Sequence, residues 1–182
     1  QILLAGMYLH RNRGAEDQQK AALYMTLAHS QDRDGILSYQ LGEFFYFGSG
    51  GLSQSLYRAK HYLEKAAEKG VDAAYYRLAM TLGELGDVQY KRMYKIPGHC
   101  SIPRVLFWAR KAVANEMFKA EAIKLIEELE GLGKQHCANC EKNVECFSKK
   151  MKQCALCKAA WYCGRECQLK HWRDGHKTDC IK

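Results

Sequence analysis

The sequence predicts an all-α fold, a helical-repeat solenoid over residues 1–132. A small cysteine-rich module, poor in helix and strand, follows over residues 133–182. Two observations lead to this prediction. Before residue 132, apolar side chains recur at helical spacing in successive blocks of ordinary helix length. Eight of the nine cysteines then follow residue 136, in a segment with few aliphatic side chains.

The apolar blocks of the first part each cover a few helical turns. They run from Leu37 to Phe45, Leu56 to Ala67, Tyr75 to Leu82, Val105 to Val113 and Ala122 to Leu129. Short gaps divide them, and Gly70 stands where a helix C-terminus favours a residue of positive φ. The aromatic residues Phe44 to Phe47, Tyr75 and Tyr76 lie in or beside these helical blocks, so we interpret them as core rather than as the lining of a ligand pocket.

The blocks repeat one another at an interval near 40 residues. At an offset of 38 residues, Tyr24 matches Tyr62 and Ala28 matches Ala66, and at an offset of 46, Ala66 matches Ala112. Two helices in each unit of this length are typical of a solenoid, because one hairpin cannot bury its apolar stripe alone. Gly131, Leu132 and Gly133 follow the last block, and we expect them to end its helix and form a hinge.

This first part resembles the tetratricopeptide-like repeats of the Sel-one type. Three features carry the resemblance: the pair Leu41 and Gly42, the glycines at positions 48, 50 and 51, and the spacing of Ala59, Tyr62, Ala66, Ala67 and Gly70. Gln1 to His10 would then be the second helix of an incomplete repeat, which suggests a piece of a longer protein. The resemblance implies a scaffold that binds other proteins on a concave face. Residues 87–102 depart from the pattern as an insertion, and we interpret its His99 and Cys100 as structural or incidental.

The cysteine-rich part contains four pairs of potential metal ligands. They are Cys137 and Cys140, Cys154 and Cys157, Cys163 and Cys167, and His176 and Cys180. Eight ligands are sufficient for two tetrahedral zinc sites, so we predict two Zn²⁺ ions. The remaining Cys146 has no partner at such spacing and is interpreted as a free thiol. Paired spacing and an odd cysteine count favour metal over disulfides, which indicates a reducing compartment, the cytoplasm or the nucleus.

Metal must supply much of the folding free energy of this part of the chain. A segment under 50 residues buries too little apolar surface to fold alone. Each structural zinc contributes on the order of 10 kcal/mol. Both predicted sites use all four positions for protein ligands, which leaves no place for a reactive water molecule. We therefore expect a protein that is not an enzyme.

The order of these ligands, with Trp161-Tyr162-Cys163, Cys167-Gln168 and His171-Trp172 between them, resembles the MYND-type zinc finger. A RING-type ubiquitin ligase would instead place Cys-x-His in the middle and end in Cys-x2-Cys. The resemblance implies interleaved pairs, with Cys137, Cys140, Cys163 and Cys167 on one zinc and Cys154, Cys157, His176 and Cys180 on the other. Consecutive pairing is the alternative, and His171 competes with His176 as a ligand.

MYND fingers bind short proline-containing peptides, often Pro-x-Leu-x-Pro, through a glutamine and a tryptophan. The matching positions in this sequence are Gln168 and Trp172, one helical turn apart, so both can face one groove. An indole offers a flat apolar surface to proline, and a glutamine amide can bond an extended backbone. The other interpretation is that Trp172 packs inside the small domain.

Charge suggests a second class of partner. The chain carries a formal charge of +8, and the residues from Lys134 onward contribute +6 of it. Nucleic-acid binding is therefore an alternative function. Seven ionised thiols and two zinc ions lower the charge of that segment to about +3, so a solvated basic surface is the simpler interpretation. No apolar run approaches the length of a membrane span.

Together these patterns predict a zinc-binding adaptor. Its MYND finger would capture short proline-containing motifs of partner proteins while the helical repeats act as a scaffold. Alternatives from other classes are a basic zinc module that binds nucleic acid and a finger like that of ubiquitin ligases. A lysine methyltransferase can also carry such a finger, but no cofactor-binding catalytic domain is recognisable in this sequence.

Overall fold

A computed structural model describes residues 5, 7–8, 14–86, 102–140, 142–143 and 150–180, and most of them are helical. The helices are α1 (Ala15–Ala28), α2 (Ile36–Phe47), α3 (Leu56–Glu68), α4 (Asp72–Leu85), α5 (Ile102–Ala112), α6 (Lys119–Gln135), α7 (Arg165–His171) and α8 (Lys177–Asp179). A short 3-10 turn, His29–Gln31, follows α1, and the π-helical turn Trp172–His176 connects α7 to α8. Strands β1 (Lys152–Gln153) and β2 (Trp161–Tyr162) pair antiparallel, with Lys152 opposite Tyr162. In the described residues, no helix combines the length and apolar character that crossing a bilayer requires.

The predicted helical blocks coincide with observed helices. Four of the five apolar blocks lie within one of the helices α2 to α6, and the fourth block, Val105 to Val113, extends one residue past the end of α5 at Ala112. Gly70 follows the end of α3 with φ of +84°, as predicted for a residue that leaves a helix in the left-handed conformation. His99 and Cys100, together with Cys146, lie outside the described residues.

The chain divides into two compact units, Gln1–Thr81 and Leu82–Lys182. The sequence-based division into residues 1–132 and 133–182 concerns repeats and finger as modules, and it stays a prediction. The compact units group α5 and α6 with the cysteine-rich part of the chain. The candidate metal centre therefore has a helical hairpin within its own unit.

The first unit is built on α1 to α3 and most of α4, packed through small and apolar side chains. One core cluster is formed by Ala5, Ala21, Met25, Ala28, Leu37 and Leu41, with Tyr8, Tyr24, Phe44 and Tyr62 against it. Phe45 and Tyr46 are buried, as expected, but the expectation is wrong for Phe47, whose surface is 57% exposed. The ring of Phe47 instead lies 4.8 Å from the Arg77 guanidinium, which an ion pair holds on Glu43.

A buried carboxylate lies just before α2 and caps its N-terminus. Asp32 is only 6% exposed, and its two oxygens accept hydrogen bonds from the N–H groups of Gly35 and Ser38 at 3.0 and 2.9 Å. The Ser38 hydroxyl also donates to it, and the Lys69 ammonium lies 3.7 Å away. Burial by itself would raise the pKa of Asp32, but these donors and this charge outweigh burial and lower the pKa. The carboxylate thus supplies the cap that the helix N-terminus requires.

In the second unit, α6 continues as helix through Gly131, Leu132 and Gly133. The predicted hinge at these residues is therefore wrong. Gly133 is buried because the indole of Trp161 lies over it, so closely that a Cβ atom there would come within 2.3 Å of the ring. Glycine at this position serves helix-to-finger packing, which matters more than its low intrinsic helix propensity.

The cysteine-rich part shares its core with the helical hairpin of α5 and α6. Leu106 of α5 joins Cys137, Cys154, Cys157, Ala159, Ala160, Trp161 and Tyr162 in one buried cluster. Ile102, Ile126 and Leu129 pack against the same cluster. The aliphatic side chains that the finger lacks are thus supplied by its neighbouring helices.

Candidate metal centre

The first ligand pair lies on a turn that directly follows α6. The Ala138 N–H donates to the Trp161 carbonyl at 2.8 Å, and the Cys137 N–H donates to the Lys142 carbonyl at 3.1 Å. The first bond connects the turn to β2, the strand that leads to Cys163, and the second closes the turn itself. The local fold therefore brings residues 137–140 and 163–167 together.

Four cysteines converge in the first cluster. The sulfur atoms of Cys137, Cys140, Cys163 and Cys167 all lie within 4.8 Å of one another. The Cys140 and Cys163 sulfurs are 3.8 Å apart, and those of Cys163 and Cys167 are 3.4 Å apart. The Cys163 N–H and the Asn139 side-chain amide point at two of these sulfurs, Cys137 and Cys167, at 3.5 and 3.4 Å.

The second cluster joins three cysteines and one histidine. Cys154, Cys157, His176 and Cys180 place their ligand atoms within 4.8 Å of one another. The Cys154 and Cys180 sulfurs are 3.8 Å apart, and Nε2 of His176 lies 3.7 Å from the Cys157 sulfur. The turn between Cys154 and Cys157 is closed by the Lys158 N–H, which donates to the Cys154 carbonyl at 3.0 Å.

These distances fit zinc. A tetrahedral ion with Zn–S bonds of about 2.3 Å separates neighbouring sulfur ligands by roughly 3.8 Å. The sulfur-to-sulfur separations of 3.4 and 3.8 Å in the two clusters are close to that value. Thiolate and imidazole donors are also the ligand types that zinc prefers. The two clusters are therefore two zinc sites.

The closely spaced thiol groups of each cluster also favour a bound cation. Burial would raise the pKa of the Cys137 thiol, but the N–H groups of Cys140, Cys163 and Asn139 lower it to about 7. Burial and the neighbouring Cys154 and Cys180 thiols raise the pKa of Cys157 to about 12. Several thiolates so close together repel one another, and a divalent cation offsets that repulsion.

The interleaved arrangement follows from these positions. The first and third ligand pairs share one cluster, and the second and fourth share the other. Consecutive pairing would require Cys154 and Cys157 to join Cys137 and Cys140, which the geometry excludes. His176 supplies the nitrogen ligand of the second cluster, whereas His171 lies outside it.

Comparison with known families agrees with this geometry. The family described as MYND finger matches residues 136–180, the segment that contains all eight ligands. Residues 136–180 are a MYND finger. Domains of this kind commonly mediate protein–protein interaction, so the chain contains a protein-interaction module.

Similar curated proteins match this chain over the finger. A ubiquitin carboxyl-terminal hydrolase 16 from Arabidopsis thaliana is 46% identical over 35 residues, which are 19% of this chain and 4% of that protein. A zinc finger MYND domain-containing protein 10 homolog from Drosophila melanogaster is 51% identical over 37 residues, 20% of this chain and 8% of that protein. The chain thus spans less than a tenth of these relatives. No solved structure matches the chain.

A histidine that sequence reasoning considered as a ligand supports the MYND finger in another way. His171 is 2% exposed, and its ring lies 4.8 Å from the His176 ring at an interplanar angle of 16°. A hydrogen bond of 3.0 Å joins Nδ1 of His171 to the hydroxyl of the fully buried Tyr162. The Tyr162 hydroxyl thus holds the His171 ring, and that ring packs against the imidazole of the ligand His176.

Arg110 of α5 holds the second knuckle of the MYND finger, the turn from Cys154 to Lys158, and sequence reasoning missed this contact. Its guanidinium donates to the carbonyl oxygens of Cys157 at 3.0 Å and Lys158 at 3.2 Å. It also pairs with the Glu130 carboxylate of α6 at 3.1 Å. Lys158 has a φ of +51°, which is unusual for a residue other than glycine. The side-chain amide of Gln153 also donates to the Lys158 carbonyl, at 2.8 Å. No local sequence signal connects residues 47 positions apart, so only the tertiary structure reveals this contact.

The two predicted peptide-binding residues lie on the outer part of α7 and its continuation. Gln168 and Trp172 are both partly exposed, and the Trp172 N–H donates to the Gln168 carbonyl. The Trp172 ring lies 6.0 Å from the His176 ring at an angle of 70°. One side of the indole thus contacts a zinc ligand, while part of its surface faces solvent.

Proposed function

We propose that this protein is a non-enzymatic adaptor whose MYND finger captures short proline-containing segments of partner proteins. The observation that carries the proposal is the pair Gln168 and Trp172, which are partly exposed and one turn apart beside the second zinc site. An apolar surface for proline and an amide for an extended backbone thus occur side by side.

The surroundings of this pair suit a groove for an apolar peptide. Leu169, the neighbour of both residues on the helix surface, is 43% exposed and adds apolar surface beside them. Because Trp172 contacts the ligand His176, the indole is held in one orientation before a peptide arrives. Preorganisation of this kind reduces the entropy lost on binding.

We propose further that the helices before the finger are Sel-one-type repeats that form a scaffold. Ala28, Ala66 and Ala112, which are related by the sequence offsets, are all completely buried. Tyr24 stacks on Tyr8 at 5.7 Å, and Tyr62, the residue 38 positions later, stacks on Phe45 at 5.6 Å. Tyr24 and Tyr62 thus each stack on an aromatic ring, as related positions of a repeat would, although their partners Tyr8 and Phe45 are 37 rather than 38 positions apart.

The zinc sites support the proposal of a non-enzymatic role in a reducing compartment. Each cluster supplies four protein ligands, which fill the coordination sphere of a structural zinc. None of the seven cysteines in the two clusters forms a disulfide. We infer that the protein works in the cytoplasm or nucleus, where such thiols stay reduced.

The experiment is a titration of zinc-loaded protein into a fluorescein-labelled Pro-x-Leu-x-Pro peptide, followed by fluorescence polarisation. We expect micromolar affinity in the parent protein. Replacement of Trp172 by alanine should weaken binding by about 30-fold or more, because a central tryptophan typically contributes about 2 kcal/mol or more to an interface. Gln168→Ala should cost about fivefold, the loss of one or two exposed hydrogen bonds.

Lys170→Ala provides the matched control, because Lys170 lies on the same helix but is exposed on its other side. Zinc stoichiometry and circular dichroism must show that every variant remains folded and holds two zinc ions. Equal binding by the parent and by folded Trp172→Ala would refute the groove. No binding to the parent protein would refute peptide capture itself.

A further inference from the structure

Two exposed arginines, Arg165 and Arg173, lie beside the proposed peptide groove. Gln168 and Trp172 form one ridge of the helix, since residues four positions apart lie along the same row. The next ridge contains Arg165, Leu169 and Arg173 by the same spacing. Both arginines are exposed.

The acidic residues of this segment lie one ridge further from the groove. Glu166 and Asp174 share that ridge with Lys170, so positive and negative charges are mixed there. The ridge beside the groove, by contrast, has a cation at each end and no carboxylate. An acidic peptide segment would meet uncompensated positive charge along this side of the groove.

The described residues provide no partner for either guanidinium. Two other arginines of these residues pair with carboxylates, Arg77 with Glu43 and Arg110 with Glu130. Within the described part of the chain, Arg165 and Arg173 make no such ion pair. Among the described residues, no carboxylate therefore neutralises these two charges.

The spacing of the two arginines matches the length of the proposed motif. Arg165 begins α7, and Arg173 lies eight positions later in the π-helical turn that continues it, an axial distance of about 12 Å at the rise of an α-helix. An extended chain advances roughly 3.3 Å per residue, so a five-residue motif covers about the same distance. In a peptide that runs along α7, the side chains just outside the motif come within reach of the guanidinium groups.

We propose that the partner of this finger is a proline-containing segment flanked by aspartate or glutamate, and that Arg165 and Arg173 select it. The inference rests on the proposed peptide capture and adds the charge of the flanking residues as a determinant of specificity. Exposed charge pairs contribute modestly to affinity, but they discriminate strongly against a partner of the wrong sign.

The test uses three fluorescein-labelled Pro-x-Leu-x-Pro peptides, flanked on both sides by Asp, Ser or Lys. Zinc-loaded parent protein is compared with Arg165→Glu, Arg173→Glu and the double variant, with Lys170→Glu as a control for one charge reversal on the same helix. We expect the parent to prefer the Asp-flanked over the Ser-flanked peptide by about three- to tenfold. That preference should fall as NaCl is raised from about 0.05 to 0.5 M.

The double variant should reverse the order and bind the Lys-flanked peptide more tightly than the Asp-flanked one, whereas Lys170→Glu should keep the parent's order. Equal affinity of the parent for all three peptides would overturn the inference and leave peptide capture intact. Loss of zinc in the arginine variants would also overturn it, because the arginines would then serve to neutralise the thiolate clusters. The inference would also be overturned if single-stranded oligonucleotide displaced the Asp-flanked peptide at a concentration below that of the peptide. Failure of the Ser-flanked peptide to bind the parent would refute the proposed function instead.

Discussion

Substitution of Gly133 by alanine tests the packing of the MYND finger on α6. In a solvent-exposed helix, alanine in place of glycine stabilises a protein by about 1 kcal/mol. At Gly133, the new methyl group would come within 2.3 and 2.4 Å of two carbons of the Trp161 indole. Trp161 is only 5% exposed, so the ring has little space into which to move.

Gly131 provides a matched control two residues earlier in α6. A Cβ atom at Gly131 meets nothing within 4 Å, so its replacement by alanine changes helix propensity alone. Overpacking of a well-packed core typically costs about 1–3 kcal/mol. We therefore expect Gly131→Ala to stabilise the second unit and Gly133→Ala to be about 1–3 kcal/mol less stable than Gly131→Ala.

The assay is thermal unfolding followed by tryptophan fluorescence. All three tryptophans, at positions 108, 161 and 172, belong to the second unit, so the signal reports on that unit. A difference of 1–3 kcal/mol corresponds to a separation of roughly 5–15 °C between the midpoints of the two variants in a domain of this size. Zinc content is measured before each experiment, because metal loss would lower the midpoint by itself.

The reasoning would be refuted if both alanine variants unfolded at the same, raised temperature. A double-mutant cycle locates the effect further. Phenylalanine at position 161 lacks the second ring of the indole, so Gly133→Ala should cost less in a Trp161→Phe background than in the parent. An unchanged cost would mean that the methyl group collides with something other than the indole.

Three further predictions concern the first unit and the metal sites. Gly42→Ala should destabilise the protein by about 1–3 kcal/mol in urea denaturation, because its Cβ would lie 2.6 Å from a Leu63 carbon, while Gly83→Ala, with nothing within 4 Å, should not. Asp32→Asn should cost about 1–3 kcal/mol at pH 7. Since folding lowers the pKa of this carboxyl, its contribution is present above pH 3.8 and is lost as the pH falls through the lower folded-state pKa, so the measured difference should shrink in acid. Cys167→Ser should reduce the zinc content, measured by mass spectrometry, from two ions per chain to one; retention of both would contradict the assignment of Cys167 to the first site.

Local features of the fold were predictable because they depend on near neighbours in sequence. The helices α2 to α6 follow from apolar spacing, and the positive φ of Gly70 follows from its place after a helix. The hinge at Gly131 to Gly133 was predicted wrongly for the same reason. A glycine-rich stretch is typical of a helix end, and nothing local reveals that Trp161 lies over Gly133.

The exposure of Phe47 is a second case in which spacing misled. Four aromatic residues in succession cannot all face one side of a helix, since consecutive residues are about 100° apart. Phe45 and Tyr46 face the core, and the next residue must turn away from it. The sequence does not indicate which member of such a run is exposed until the direction of the core is known.

By itself, the sequence determined the eight metal ligands, the number of zinc ions that they bind and the helical character of the first part of the chain. These features could be predicted because ligand type and short spacing are local properties. It could not decide between interleaved and consecutive pairing, which depends on how segments 19 or more residues apart meet. The tertiary structure decided this, and it also showed that Arg110 holds the second knuckle and that Trp161 covers Gly133. The physical reason is that spacing fixes which side chains can share a turn, whereas burial and long-range hydrogen bonds fix which turns come together.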